Sequence, residues 1–328
     1  MKKIPLLACI LLLLSSILPH PVAAARGAPD SLHFGYGLRL DVNGEWVEES
    51  LVRAAEMGLD WVALDFDWNS TWPDPSAWDS STPFSRAARL ADTLGLTLVF
   101  SIHNPPAWAM TANGPHPELT AALLCDLKQL FPTLQAVELY PRANTRFGWG
   151  ASPSATHYAA LLQITHERIE SKGIYLHLLA GGLTNQLSSP EDLLDTVFLQ
   201  ELYNAGANPA IVSLRLDQMD GDPLSQPAAT TLRHFEQIRS IMTANSQSEA
   251  LLWVTGFNLP CDLEDADAKV QSDWLEQSYQ LMRSRLYFGA AFYTCYNDSA
   301  ETPGSVCLLR RDGSHEFLSR LRFLVGEN

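Results

Sequence analysis

Short apolar runs alternate with longer amphipathic ones along most of this chain. Strand-length runs fall at residues 33–40, 59–66, 96–102, 136–140, 174–179, 210–216, 251–255 and 288–294. Some, such as LTLVFSI at 96–102, are apolar at nearly every position, the pattern of strands covered on both faces. Between them, helical spacing predicts helices over 46–57, 83–94, 117–131, 152–171, 190–205, 226–244 and 266–285, with a last one over 314–325 after a small hairpin at 305–312. Pro83 opens one of these helices and Gly58 and Gly95 follow two, as expected at helix starts and ends.

Eight strand–helix pairs follow one another without a change of composition or a Pro/Ser-rich linker. Continuous alternation of this kind implies a parallel sheet covered by helices. Eight units in this length predict a single-domain α/β fold, the (β/α)8 TIM barrel, rather than an open doubly wound sheet. The first strand–helix turn carries no GxGxxG, since Gly35 and Gly37 lie within a strand. A dinucleotide site is therefore not expected, and no other cofactor is.

The N-terminal residues read differently. Lys2 and Lys3 precede an apolar stretch at 4–18, and Ala23, Ala24 and Ala25 form a small-residue cleavage pattern. This predicts a secretory signal peptide over 1–25, a barrel domain over 26–328, a secreted or extracytoplasmic location and no membrane span in the mature chain. Removing Lys2 and Lys3 with the signal takes the formal net charge from −15 to −17. Such an acidic chain is not expected to bind nucleic acid or anionic membranes. Four cysteines remain (Cys125, Cys261, Cys295 and Cys307), and in an exported chain they permit three disulfide connectivities. Their spacing suggests no metal site, and none is expected.

In such a barrel the loops after the strands build the site. They bring forward Arg39 and Asp41; Asp65, Asp67, Trp68, Trp72 and Trp78; His103, Asn104 and Trp108; Tyr140, Arg142, Asn144, Phe147 and Trp149; Asn185; Arg215, Asp217 and Asp220; Phe257 and Asn258; and Tyr293, Tyr296, Asn297 and Asp298. Five of the nine tryptophans fall there, which favours a ligand with apolar ring faces and polar edges.

These motifs resemble a clan A glycoside hydrolase of the kind in families 5 and 39. The resemblance rests on Phe34-Gly35-Tyr36-Gly37, on Met57 to Val62 with Asp65-Phe66-Asp67-Trp68, on Pro105-Pro106-Ala107-Trp108-Ala109, on Ala180-Gly181-Gly182-Leu183, and on Leu308 to Ser314. It implies a carbohydrate partner and two glutamates flanking the scissile bond, roughly 5 Å apart in retaining enzymes. The fourth-strand motif of the family, E-I-W-N-E-P-N, aligns with Glu138-Leu139-Tyr140-Pro141-Arg142-Ala143-Asn144, so Arg142 stands at the acid/base position. The seventh-strand motif W-V-T-E-F-G aligns with Trp253-Val254-Thr255-Gly256-Phe257-Asn258, so Gly256 stands at the nucleophile position. Arg215 and Asp217 replace the histidine and tyrosine of the sixth-strand motif. An arginine cannot exchange protons near neutral pH, and a glycine has no side chain.

The first expectation is a pseudo-glycosidase that binds carbohydrate at the barrel mouth through Asp65, Trp68, His103, Asn104, Trp108, Tyr140, Arg142, Asn144, Trp149, Arg215, Phe257 and Tyr293. Arg142 and Arg215 would then either favour an anionic sugar or pair with Glu138 or Asp217. Glu138 lies four residues before Arg142, deeper in the barrel, and suits a buried partner. The alternatives are an active O-glycosyl hydrolase with relocated carboxylates, Asp67 and Asp217 first among them, and a non-enzymatic exported scaffold or interaction protein.

Overall fold

The structure is a computed structural model that describes residues 33–44, 46–74, 78–216, 222, 225–258, 267–294 and 316–326. The signal peptide at 1–25, Asp217, Asp220, Cys261, Cys295, Tyr296, Asn297, Asp298, Cys307 and the hairpin at 305–312 lie outside the described residues.

Eight parallel strands close a barrel in chain order. They are β1 (Gly35–Leu40), β2 (Trp61–Asp67), β3 (Thr97–His103), β4 (Leu134–Leu139), β5 (His177–Leu183), β6 (Ile211–Leu216), β7 (Leu251–Phe257) and β8 (Phe288–Thr294). Closure is made by β8 against β1, from Gly35 opposite Ala290 to Arg39 opposite Thr294. Around the barrel run α1 (Val47–Met57), α2 (Pro83–Thr93), α3 (Pro117–Leu130), α4 (Ala155–Ser171), α5 (Asp195–Asn204), α6 (Phe235–Ala244), α7 (Ala268–Arg283) and α8 (Glu316–Gly326). The fold is thus the single-domain (β/α)8 barrel. Among the described residues no helix is long and apolar enough to cross a membrane.

The period-2 alternation of each strand divides its side chains between two cores. Val62, Leu64 and Phe66 of β2, with Leu98, Phe100 and Ile102 of β3, face the helices in one large apolar cluster. The alternate residues Trp61, Ala63, Val99, Ala136, Leu179, Ile211, Trp253, Ala290 and Phe292 fill the barrel interior as a second cluster. Trp61 and Trp253 meet edge to face with centroids 5.2 Å apart. Phe292 occupies the space where a Cβ on Gly37 would stand, 2.3 Å from its ring. The interior is therefore a solid floor, on which a polar tier is built.

Local chemistry moves some boundaries from their predicted places. The fifth strand runs over His177–Leu183 rather than 174–179, because Gly173 and the Ile174 N–H return to the end of α4, Ile174 bonding the Ile169 carbonyl. The helix predicted over 190–205 begins at Asp195, since the Asp192 carboxylate gathers the Ser188 and Ser189 N–H groups into a turn. The helix predicted over 226–244 becomes a 3-10 turn, Leu232–His234, leading into α6, because the Thr231 hydroxyl accepts from the Ala228 N–H and closes a turn before it. In β7, Leu214 faces Val254 but Arg215 faces Gly256, so Thr255 is an extra residue. That bulge reverses the alternation and sends Phe257 outward among Trp274, Tyr279 and Tyr293.

Gly182 tests how tightly the interior is closed. Its φ is +47°, and a Cβ there would lie 2.7 Å from Glu138 Oε1 and 2.8 Å from the Pro141 Cα. Gly206 also has a positive φ, +87°, but open space around it. Gly206→Ala should cost only the left-handed backbone penalty, about 1–2 kcal/mol. Gly182→Ala should cost clearly more, and urea unfolding midpoints of the two variants would show equal losses if the packing around Glu138 were loose.

Candidate functional site

Above the tryptophan floor, the inward positions turn polar. They are Arg39 on β1, Asp65 on β2, Ser101 on β3, Glu138 on β4, Arg215 on β6 and Thr255 on β7, so six of the eight strands contribute. Glu138 is at the centre and is wholly buried. Its Oε2 accepts from Ser101 Oγ at 2.7 Å and from Arg215 Nη2 at 2.6 Å, and lies 3.8 Å from Arg39 Nη1. Its Oε1 accepts from the Thr255 hydroxyl. Arg39 pairs with Asp65 through Nη2 and donates through Nη1 to the Thr255 carbonyl at 3.2 Å. Arg215 Nη2 also lies 3.6 Å from Asp65 Oδ1. Two guanidinium groups and two carboxylates thus neutralise one another inside the barrel.

Burial alone would raise both carboxyl pKa values, but the cations outweigh it. Glu138 is held below its ordinary value by Arg215 and then Arg39, with the Thr255 hydrogen bond adding to them. Asp65 is held low by Arg39 and then Arg215. Neither can deliver a proton near neutral pH.

At the outer edge of this tier the Asp65 side chain is 31% exposed and opens into a cleft of about 320 Å3. Asp41, Asp67, Ser70, Thr82 and His103 are among the residues lining it. Asp67 caps the short helical turn Trp68–Thr71, accepting from the Ser70 N–H at 2.9 Å, and accepts from Asn104 Nδ2 at 3.0 and 3.1 Å. Although desolvation opposes it, these hydrogen bonds hold the Asp67 carboxyl below its ordinary value. His103 sits opposite Asp67 across the β2–β3 ladder. Burial lowers its pKa, with Asp65 and Asp67 pulling the other way, and the imidazole is neutral at pH 7. Trp108 is 39% exposed, packs edge to face on Trp68, and is fixed by its Nε1 donating to the Pro73 carbonyl at 2.7 Å.

The β4 end leaves the barrel in an unusual conformation. Tyr140 and Arg142 have φ of +52° and +63°, a region that non-glycine residues seldom occupy. The surrounding backbone fixes them there. Tyr140 N–H bonds the Ile102 carbonyl at 2.9 Å, and Arg142 and Ala143 N–H bond Gly182 and Gly181 carbonyls at 2.9 and 3.1 Å. The strain turns Tyr140 out of the mouth, so that its hydroxyl meets Thr120 of α3 at 2.7 Å.

Six residues expected to line the mouth are therefore structural. Tyr140 packs under α3. Trp149 is buried against Tyr140 and Tyr158 and donates to the Asn113 carbonyl at 2.9 Å. Asn144 is buried and staples the loops after β4 and β5, donating to the Thr184 and Leu193 carbonyls at 2.8 Å each. Trp68, Phe257 and Tyr293 are buried in the helix-facing core, the last two turned outward beneath α7. Arg215 is drawn down to Glu138 and is 7% exposed. Asp65, His103, Asn104, Trp108 and the half-buried Arg142 remain at the mouth. Glu138 was legible as a buried partner. Ser101 and Thr255 were not, though Ser101 shares the inward parity of Val99. Among the described residues no group of three or more His, Cys, Asp or Glu side chains could hold a metal ion.

No protein-family model matches the chain, and no curated protein matches it in sequence. Solved structures do match in fold. A family 39 glycoside hydrolase from the gut symbiont Bacteroides cellulosilyticus WH2 superposes with a TM-score of 0.66 at 15% identity, over 90% of this chain and 63% of that one. This chain thus spans less than two thirds of that enzyme. A variant of GH5_18 from Bifidobacterium longum subsp. longum ATCC 55813, in complex with Manβ1-4GlcNAc, gives 0.63 at 12% identity, over 90% and 78%. XacCel5A in complex with cellopentaose gives 0.58 at 14% identity, over 89% and 98%. The likeness is one of fold: these glycoside hydrolases share the eight-stranded parallel barrel of this chain.

The ion network makes two predictions. Glu138→Leu or Arg215→Met alone should each cost about 3–5 kcal/mol by leaving a buried charge unmatched, and the double variant should cost far less than their sum. A cycle of urea denaturations that comes out additive would contradict the pairing. The second concerns pH. Glu138 and Asp65 have folded pKa values below their ordinary 4.5 and 3.8, so their stabilisation is complete above those values and is lost as pH falls through the folded ones. The double variant should therefore lose stability less steeply than wild type below about pH 4.5, measured by thermal melts across the acid limb.

Proposed function

We propose that this protein is an exported barrel that binds neutral oligosaccharides at its mouth and no longer hydrolyses them. The observation that carries the reading is the fate of the carboxylates. Glu138, the inward carboxylate of β4, is buried and bonded to Arg215, Ser101 and Thr255. The positions that the glycosidase resemblance assigns to the acid/base and the nucleophile carry Arg142 and Gly256. Asp65 and Asp67, the relocated candidates among the described residues, are both held ionised, and neither can serve as the general acid near neutral pH.

Binding is supported by what remains open. The cleft presents carboxylates, hydroxyls and a neutral imidazole, groups that donate to and accept from sugar hydroxyls. Trp108 offers a fixed aromatic surface on the loop after β3, the strand that ends in His103. Among the described residues no lysine or arginine lines the cleft, and with Arg215 paired to Glu138 the chemistry there favours uncharged sugars over uronates. The two solved relatives with named sugars hold Manβ1-4GlcNAc and cellopentaose, both uncharged. The pattern at 1–25 supports export.

Calorimetric titration with manno- and gluco-oligosaccharides tests the reading, with sugar release followed on the same samples. Binding without release is expected. His103→Ala should weaken it about 5- to 10-fold, the worth of one hydrogen bond. Turnover abolished by Asp67→Asn would instead establish a hydrolase with relocated carboxylates, and no binding to any sugar would leave the exported scaffold.

A further inference from the structure

Phe147 is 80% exposed, yet it sits on a turn after β4 that is braced from several sides. It belongs to the helical turn Arg146–Trp149, capped by the Thr145 hydroxyl, which accepts from the Gly148 N–H at 3.1 Å. Gly148 lies so close to the β4 exit that a Cβ there would come within 2.3 Å of the Pro141 and Arg142 carbonyl oxygens. Arg146 is clamped to the next loop, its N–H bonding Asp192 Oδ1 at 2.7 Å and its guanidinium pairing with Glu191. Trp149, at the other end of the turn, is 1% exposed and locks the segment to the loop after β3 by donating to the Asn113 carbonyl. The same post-β3 loop carries Trp108.

One aromatic anchor suffices to fold this turn, and Trp149 is that anchor. Phe147 adds nothing to the core and keeps its ring in water on a rigid mount. Its flanks are charged, with Arg146 58% and Glu191 42% exposed. A single ring bordered by hydrogen-bonding groups suits a ligand with an apolar face and a hydroxylated edge. It presents about 150 Å2, well short of the roughly 800 Å2 per partner of a stable protein interface.

We propose that Phe147 is a platform for one ring of an extended neutral oligosaccharide whose other rings occupy the mouth beside Trp108 and the cleft. This rests on the carbohydrate reading above and adds that the ligand is a chain of several sugars. Covering one face of the ring is worth roughly a five- to tenfold gain in affinity.

Calorimetry with cello- and manno-oligosaccharides of two to six units tests it, on the full exported chain. Wild-type affinity should rise with length. Phe147→Ala should lose about five- to tenfold on the longest oligomers and nothing on the disaccharides, while Phe147→Tyr should keep wild-type behaviour. Wild-type binding with no loss in Phe147→Ala, or an equal loss at every length, would overturn the platform alone. Wild-type failure to bind any sugar would remove the carbohydrate reading and the platform with it. Self-association of the wild type that Phe147→Ala abolishes, without a change in sugar affinity, would make the ring a contact for a second copy and also overturn the proposal. Light scattering on the same samples reads this.

Discussion

The Glu138 carboxylate accepts hydrogen bonds from three other strands at once, its neighbour β3 through Ser101 and, across the barrel, β6 through Arg215 and β7 through Thr255, and is reached from β1 by Arg39. A charge with no exposure to solvent must be matched where it stands. Much of the mouth follows from that demand. Arg215 is pulled down from the strand end, where it would otherwise meet a ligand. Thr255 points inward two residues after the interior Trp253, and the bulge there carries Phe257 into the helix-facing core. Gly182 must lack a side chain, because its Cβ would collide with Glu138 itself. Arg39 bridges the buried centre to Asp65, the network's edge in the cleft.

Under the proposed reading, this arrangement would let a hydrolase-like barrel keep its architecture without hydrolytic chemistry. Catalysis by paired carboxylates needs one of them to be protonated near neutral pH and both to reach the scissile bond. Glu138 satisfies neither condition: two guanidinium groups keep it ionised, and the barrel wall encloses it. Its contribution is to cohesion across the strands. Asp67 meets the second condition better, but its bonds to Ser70 and Asn104 hold it in the ionised form. The neutral His103 between these groups can accept a hydrogen bond from a sugar hydroxyl, which suits recognition.

The barrel was legible in the sequence because its signals are local and repeated. Each strand is a short apolar run, each helix a longer amphipathic one, and the order of the two sets the fold. The site was legible only as a set of loops. Direction was the missing quantity, since strand parity could not be carried past the last regular residue. Tyr140 faces α3 because its φ is +52°, and Phe257 faces α7 because of one extra residue in β7. Asn144 and Trp149 looked like ligand contacts by residue type, but each is consumed by carbonyls of neighbouring loops. Glu138 could be identified as a buried partner from its depth, four residues before the strand-end arginine. Which arginine it would choose required the register across the barrel.

The central claim is that Glu138 is a structural anion rather than a latent catalytic acid. Carbon-13 NMR titration of its side-chain carboxyl, in protein labelled at glutamate and assigned with Glu138→Gln, measures this directly. The account predicts a carboxyl that stays ionised at and above the ordinary carboxylate value of 4.5 and takes up its proton only below it. A Glu138 carboxyl that titrates between pH 5 and 8, as a general acid would, contradicts it.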